Sequence, residues 1–244
     1  MARKFSKRIK AEAFQAKALR HFLLDTRFCR TQSRMMKKLL ALLLIGFAIS
    51  FRADGQTNAA PSSGVSKTNV ETLVCIRHGE KPRGGLGQLT CRGFNRALAL
   101  PEVLLPRYGR PQFVFAPNPA QKVDSTNGYY YVRPLATIEP TAIRCGLPVN
   151  TEFGYLEIKG LERELQEPAY QNATVFIVWE HGQLDDFAKA LVKHHGGDPA
   201  QVPAWPDGDY DTIFVFKITK DAGKESFSFT IDHEGLNNLS DTCP

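Results

Sequence analysis

Several patterns that mark common protein classes are missing from this 244-residue chain. Its five cysteines show no CxxC or Cys/His spacing, which argues against a zinc site. The stretch GGLGQL at 84–89 lacks the spacing and the following acidic residue of a dinucleotide-binding fingerprint. The apolar run Leu39–Ile49 is shorter than the roughly 20 residues that span a bilayer. We therefore expect neither a bound metal, nor a cofactor, nor a stable membrane span.

A general basic surface is also missing, although the net charge of +6 suggests one at first sight. The first 55 residues hold 13 Lys and Arg against 3 Asp and Glu. The remaining residues, 56–244, hold 18 against 22 and carry a net charge of −4. Because the basic excess belongs to the N-terminus, nothing in the rest of the chain predicts nucleic-acid binding.

Residues 1–55 are predicted to be a basic extension followed by a secretory signal peptide. Two lysines precede the short apolar run, and small residues before Gln56 suit cleavage by a signal peptidase. Translation could begin at Met35 or Met36, or the basic extension could be part of the protein. The pattern predicts a periplasmic or secreted protein.

Residues 56–70 are rich in Ser, Ala, Thr and Asn and are predicted to be a flexible linker. Residues 71–244 are predicted to form one domain, long enough for a full core. In an exported chain the remaining four cysteines predict one or two disulfides, with the pairing left open among Cys75, Cys91, Cys145 and Cys243.

Strand-like and helix-like segments alternate along this domain. Strands are predicted to end at Ile76 and to cover 112–116, 173–180, 212–219 and 226–232, the last two as a hairpin. Helices are predicted from about Thr90, with Pro101 as a kink or break, and over 133–145, 160–167 and 183–195. Such alternation predicts an α/β fold: a single-domain, three-layer α/β/α arrangement with a largely parallel central sheet.

Two of the predicted strands end in a histidine followed by glycine. These are IRHG, which contains Arg77 and His78, and WEHG, which contains His181. Because ligands bind at the carboxyl ends of strands in open α/β sheets, both imidazoles are expected at one sheet edge. Arg133 opens the helical segment between them. An imidazole nucleophile, fixed arginines and a second imidazole are the parts that phosphoryl transfer through histidine requires.

Four segments together resemble the histidine phosphatase superfamily, which includes the cofactor-dependent phosphoglycerate mutases and the histidine acid phosphatases. They are RHGEK, LTCRGFNRALAL, RPLATIEPTA and VWEHG, in an order and at a spacing that agree over about 110 residues, from 77 to 182. The resemblance implies a phosphoglycerate mutase-like fold. It also implies an exported phosphatase that hydrolyses phosphomonoesters without a metal, through a phosphohistidine intermediate on His78.

The resemblance also implies roles for particular residues. Arg77 and Arg133 would bind the phosphoryl oxygens, and His181 would complete the pocket. The carboxylic acid that protonates the leaving oxygen is left open between Glu152, the first choice, and Glu180.

The loop after the RHGEK motif is expected to lie near the pocket, so Lys81 and Arg83 are candidate substrate-binding residues. The expected partner is a phosphorylated small molecule or envelope component, and the oligomeric state is left open. A protein of another class remains an alternative: a phosphate-pocket protein with little turnover that acts as a binding or regulatory module. Loss of leaving-group protonation would slow substrates with poor leaving groups most.

Overall fold

The computed structural model describes residues 68–122 and 128–244, so the predicted leader and most of the predicted linker lie outside the described residues. Five strands and four helices alternate in this part of the chain, and none of its helices is both long and apolar enough to cross a bilayer. In chain order they are β1 (Asn69–Arg77), α1 (Cys91–Tyr108), β2 (Phe113–Phe115), α2 (Arg133–Cys145), α3 (Ile158–Glu164), β3 (Thr174–Trp179), α4 (His181–His194), β4 (Thr212–Asp221) and β5 (Lys224–His233).

The five strands form one mixed sheet in the order β2-β3-β1-β4-β5. Strands β1 and β2 pair parallel with β3, whereas β4 pairs antiparallel with both β1 and β5. The prediction of a largely parallel sheet is therefore wrong, because the two long C-terminal strands contribute most of the paired residues. Alternation of side chains in SFSFTID is typical of such an antiparallel strand with one face towards water.

Helices pack on both faces of the sheet, and the side chains of β1 alternate between the two faces. Val74 and Ile76 belong to a buried cluster with side chains of α1 and α2. Leu73 and Cys75 belong to a second cluster with side chains of α3 and α4. Because successive side chains of a strand point to opposite faces, one continuous apolar strand supplies both cores.

Helix α1 starts as its sequence predicts but continues where a break was expected. The side chain of Thr90 caps it, with Oγ1 accepting from the backbone N–H of Gly93 at 3.1 Å. The helix then runs through Pro101 to Tyr108, so of the predicted kink or break at this residue the break is wrong. Leu100 and Leu104, on either side of this proline, are fully buried in the core. Their packing outweighs the hydrogen bond that the proline removes.

A disulfide joins Cys91, the first residue of α1, to Cys243 near the C-terminus. The side-chain amide of Asn95 donates to two carbonyl groups of the same C-terminal tail, at 2.9 and 2.8 Å. Cys75 and Cys145 are buried as free thiols. The tail is thus held against the start of α1, beside the end of β1.

Replacing both Cys91 and Cys243 by serine is expected to lower the free energy of unfolding by up to about 5 kcal/mol. The disulfide closes a loop of 152 residues, and loop-closure entropy in the unfolded chain predicts a loss of about that size. Urea unfolding with and without reductant measures it. Reductant should destabilise the natural protein and leave the double variant unchanged; equal stability of the two proteins under oxidising conditions would contradict the prediction.

Candidate active site

His78 is fully buried directly after β1, and its ring is held from both sides. Its backbone N–H donates to the carbonyl of Trp179 at 3.0 Å, which continues the pairing of β1 with β3. Ring Nδ1 lies 2.8 Å from the carbonyl oxygen of Gly79, so Nδ1 carries the proton and donates. Ring Nε2 accepts from Nε of Arg133 at 3.1 Å. The lone pair of Nε2 therefore faces a guanidinium.

This imidazole is held in its neutral form. Burial lowers the pKa of His78 well below its usual range, and the positive charge of Arg133 lowers it further. Only a neutral imidazole has a nitrogen lone pair available for attack. The position therefore suits a nucleophile.

Arg77, the last residue of β1, is buried and directed at the residues that precede β4. Its Nη1 donates to the backbone carbonyls of Pro206, Asp207 and Asp209 at 3.3, 2.6 and 2.7 Å. Its guanidinium carbon lies 4.1 Å from the centre of the Tyr210 ring. Its Nε and Nη2 are enclosed and have no hydrogen-bond partner among the described residues.

Arg133 is fully buried at the start of α2. The carbonyl of Gly87 accepts its backbone N–H at 2.9 Å, which ties the helix start to the glycine-rich loop. Nη1 donates to the carbonyl of Gly85 at 3.3 Å, and the guanidinium carbon lies 4.6 Å from the centre of the Tyr131 ring. Its Nη2 is enclosed without a hydrogen-bond partner in the described part of the chain.

A third buried arginine, Arg96 on α1, has a structural role, because carboxylate groups surround its guanidinium. Glu80 takes two of its N–H groups, at 3.0 and 2.8 Å, and Glu234 and Asp211 lie on its remaining side. Burial raises the pKa of the Glu234 carboxyl to about 8. The charge of Arg96 lowers it, whereas the neighbouring carboxyl groups of Asp211 and Glu80 raise it. Glu80, the residue after the RHG motif, thus faces away from His78 and anchors its loop to α1.

Arg77 and Arg133 differ from Arg96 because no described carboxylate is in ion-pair contact with them, although the charges of Glu180 and Asp207 act on Arg77 from further away. Within residues 68–122 and 128–244, neither has an acidic oxygen within the 4.0 Å of an ion pair. A buried charge without a counter-ion is strongly destabilising. Two such cations with unused N–H groups beside one neutral imidazole form a site for an oxyanion.

His181, the first residue of α4, joins this site through Asp207. Its Nε2 lies 2.7 Å from Oδ1 of Asp207, whose own carbonyl accepts from Arg77. Its Nδ1 lies 2.5 Å from a carboxylate oxygen of Glu180, although without hydrogen-bond geometry. The structure therefore brings Arg77, His78, Arg133 and His181 together at one end of the sheet, as the motifs predict.

Of the two predicted proton donors, only Glu180 reaches this site. Burial alone would raise its pKa, but the contact with His181 and the backbone N–H groups of Gly182 and Gln183 lower it to about 2. One of its oxygens accepts from the Gln183 N–H at 3.0 Å and so caps α4. Glu180 is ionised at neutral pH and has no proton to give.

The other predicted residues lie further out. Glu152 is exposed, and the one hydrogen bond recorded for it joins its backbone N–H to the side chain of Asn150. Lys81 lies near the pocket: burial lowers its pKa, and the charges of Arg133 and Arg77 lower it further. Arg83 is exposed.

Sequence reasoning missed the segment 206–210, which we call the strap. It covers Arg77 with three carbonyl groups, places the Asp207 carboxylate on His181 and sets the Tyr210 ring 6.2 Å from that of His78. The letters PDGDY indicate only a turn. Nothing local could have shown which side chains this turn covers.

No family model matches the chain, and no curated protein matches it. Solved structures do resemble it. "Mycobacterial hydrolase 2" is 18% identical, with a TM-score of 0.46, over 67% of this chain and 90% of that one. A mycobacterial glucosyl-3-phosphoglycerate phosphatase is also 18% identical, with a TM-score of 0.44, over 67% and 97%. A phosphoserine phosphatase mutant from Entamoeba histolytica is 12% identical, with a TM-score of 0.41, over 69% and 99%.

The names of these neighbours are those of a hydrolase and of phosphatases. The mixed α/β fold with one five-stranded sheet is consistent with the phosphoglycerate mutase-like fold that the motifs imply. Identities below 20% and TM-scores below 0.5 say nothing about what this protein acts on. Any activity has to be inferred from the side chains of the site.

Gly87→Ala is expected to disrupt the site far more than Gly84→Ala. Both glycines have positive φ, +69° and +83°, so both substitutions carry the same backbone strain, about 1–2 kcal/mol. An added Cβ at Gly87 would also collide with the Tyr130 carbonyl, whereas one at Gly84 would meet no atom of the described chain within 4 Å. Thermal unfolding of both variants measures the difference. Equal losses of stability would show that the loop does not pack this tightly.

Proposed function

We propose that this protein is an exported phosphatase that hydrolyses phosphomonoesters through a phosphohistidine intermediate on His78. One observation carries the proposal: a neutral, buried imidazole contacts one buried arginine and feels the charge of a second, and both arginines have unused N–H groups and no ion pair among the described residues. Rigid guanidinium groups match the geometry of phosphate oxygens and keep their charge when buried. The low-identity phosphatase neighbours show no more than a similar fold.

In the proposed reaction, the Nε–H of Arg133 moves from Nε2 of His78 to a phosphoryl oxygen, and Nε2 then attacks phosphorus while the bond to the leaving oxygen breaks. The unused N–H groups of Arg77 and Arg133 bind the phosphoryl oxygens and stabilise the negative charge in the transition state. The leaving oxygen takes a proton from water, and a second water then attacks phosphorus and breaks the phosphorus–nitrogen bond, which releases inorganic phosphate and returns the lone pair to Nε2. His181 stands ready to donate to a phosphoryl oxygen once Asp207 is displaced from Nε2.

Protonation of the leaving oxygen sets the substrate range. Glu180 is ionised, and Glu152 is exposed and makes no side-chain hydrogen bond to a site residue among the described residues, so neither is placed as a strong proton donor in this state. General acid catalysis contributes about 100-fold or more. We therefore expect aryl phosphates, whose leaving groups need little help, to be cleaved about 100-fold faster than alkyl phosphates.

The strap supports a second candidate function, a phosphate-binding or regulatory protein with little turnover. It occupies donors of both Arg77 and His181, and its Tyr210 ring lies 6.2 Å from the fully buried ring of His78. A site closed in this way would hold a phosphorylated partner without releasing product quickly. The two candidates differ in turnover, so a measurement of phosphate release from phosphomonoesters separates them.

Export is part of the proposal. The predicted signal peptide lies outside the described residues, and the support for export comes from the Cys91–Cys243 disulfide, which is typical of an oxidising compartment. A periplasmic or secreted enzyme would meet phosphorylated small molecules or envelope components.

His78→Ala is expected to abolish phosphate release, because Nε2 of His181, the second imidazole of the site, is held by the Asp207 carboxylate and is not in place to attack phosphorus. Release from an aryl and an alkyl phosphomonoester is measured with a chelator present, beside the exposed control His233→Ala. A rapid acid-free quench should trap phosphate on His78 in the natural protein. If release persists in His78→Ala, the mechanism is wrong; if the natural protein binds phosphate but releases none, the binding function is the right one.

Asp207→Ala is expected to tighten the binding of inorganic phosphate about 5-fold. The Asp207 carboxylate contacts Nε2 of His181 and would repel an incoming anion by about 1 kcal/mol at 4 Å. Isothermal titration of phosphate into Asp207→Ala and into Asp198→Ala, an exposed aspartate outside the strap, measures the effect. Weaker binding in the first variant would mean that the carboxylate orients His181 and does not compete with the anion.

A further inference from the structure

A cavity of about 140 Å³ lies at the opposite end of the sheet from His78. Glu71 lines it near the start of β1, about 23 Å along the strand from His78 at a rise of roughly 3.3 Å per residue. Its apolar wall includes Leu73, Phe187 and Ile218. The proposed phosphatase mechanism uses none of these side chains.

Glu71 is the unusual member of this cavity. Only 5% of the residue is exposed, and its Oε1 is enclosed without a hydrogen-bond partner in the described part of the chain. Burial raises the pKa of its carboxyl to about 7, with nearby Lys220 lowering it and Glu225 raising it. A buried carboxyl oxygen without a donor costs free energy that a bound donor would restore.

The cations on the rim already have a different partner. Glu225 lies 2.6 Å from Nδ1 of His195 and 3.5 Å from Nζ of Lys220. The ring of His195 also stacks on Phe227, with ring centres 4.6 Å apart. Glu71 and Glu162 therefore remain as acidic groups of the lining to which no ion pair is assigned among the described residues.

These features select the chemistry of a ligand. No group of three or more His, Cys, Asp or Glu side chains in residues 68–122 and 128–244 is arranged to hold a metal ion. Excess acid in the lining favours a cation, and the apolar wall favours a hydrocarbon body. An apolar cavity of about 150 Å³ holds benzene, so a ligand of that size fits.

We propose that this cavity is a second binding site, which takes a small primary amine with a compact apolar body. The ammonium group donates to the Glu71 carboxyl, and the body lies against Leu73 and Phe187. The site is independent of the proposed phosphatase activity and lies on the other end of the same strand.

Calorimetric titration of the full chain with benzylammonium, and with benzyl alcohol as its uncharged counterpart, tests the proposal. Benzylammonium should bind, and Glu71→Gln should weaken it about 10-fold or more, while Glu102→Gln on exposed α1 surface leaves it unchanged. The isosteric amide keeps the shape of the side chain, and thermal unfolding checks that the variant folds.

Three outcomes would overturn the proposal. They are no binding of benzylammonium to the natural protein, equal binding to Glu71→Gln, and binding of benzyl alcohol as tight as that of the amine. The last would mean that the cavity recognises only the hydrocarbon. None of these readouts depends on turnover, so a failure here is separate from a failure of the phosphatase proposal.

Discussion

Uncompensated positive charge beside a neutral imidazole is the constraint around which the site is built. Arg77 and Arg133 are buried without a carboxylate in ion-pair contact among the described residues, while the ring of His78 accepts from Arg133 and keeps its proton on Nδ1. Carbonyl dipoles and aromatic faces stabilise these cations in place of anions. In this arrangement the unused N–H groups of Arg77 and Arg133 can bind an anionic ligand. A guanidinium such as Arg96, which is paired with carboxylates, stabilises the fold instead.

The loop that follows His78 has to be rigid, because it fixes the position of the His78 ring relative to the arginines. Gly79 and Gly93 approach so closely that a Cβ on either would press against the backbone of the other segment. The Gly79 N–H donates to Thr137 at 2.9 Å, and Glu80 holds Arg96 with both oxygens. These contacts explain in physical terms why glycine follows His78 and why glycine stands in the first turn of α1.

The two proposed binding sites lie at opposite ends of β1. Its carboxyl end carries Arg77 and leads into the proposed oxyanion site, where two buried guanidinium groups keep unused N–H groups. Its amino end carries Glu71 in a small cavity with an excess of acid. The strap closes the first of these sites and belongs to the segment between α4 and β4, so access there depends on a loop that the motifs do not contain.

The sequence by itself determined the elements and the reactive side chains. Apolar periodicity and a capping threonine located the helices to within a few residues, and the helix predicted over 133–145 has those bounds. Two strand ends with His-Gly placed His78 and His181 at the same edge, because parallel strands share a carboxyl edge. These features are local, or follow from the direction of neighbouring strands.

Only the tertiary structure decided the contacts between distant segments. Arg77 meets the carbonyl of Asp207 across 130 positions, and Cys91 pairs with Cys243 across 152. The direction of β4 beside β1, and the ionised state of Glu180, likewise depend on neighbours that arrive through the fold. Non-local contacts determine which side chains the strap covers, which cysteines pair and how far the pKa of Glu180 is lowered. No local sequence pattern encodes such contacts.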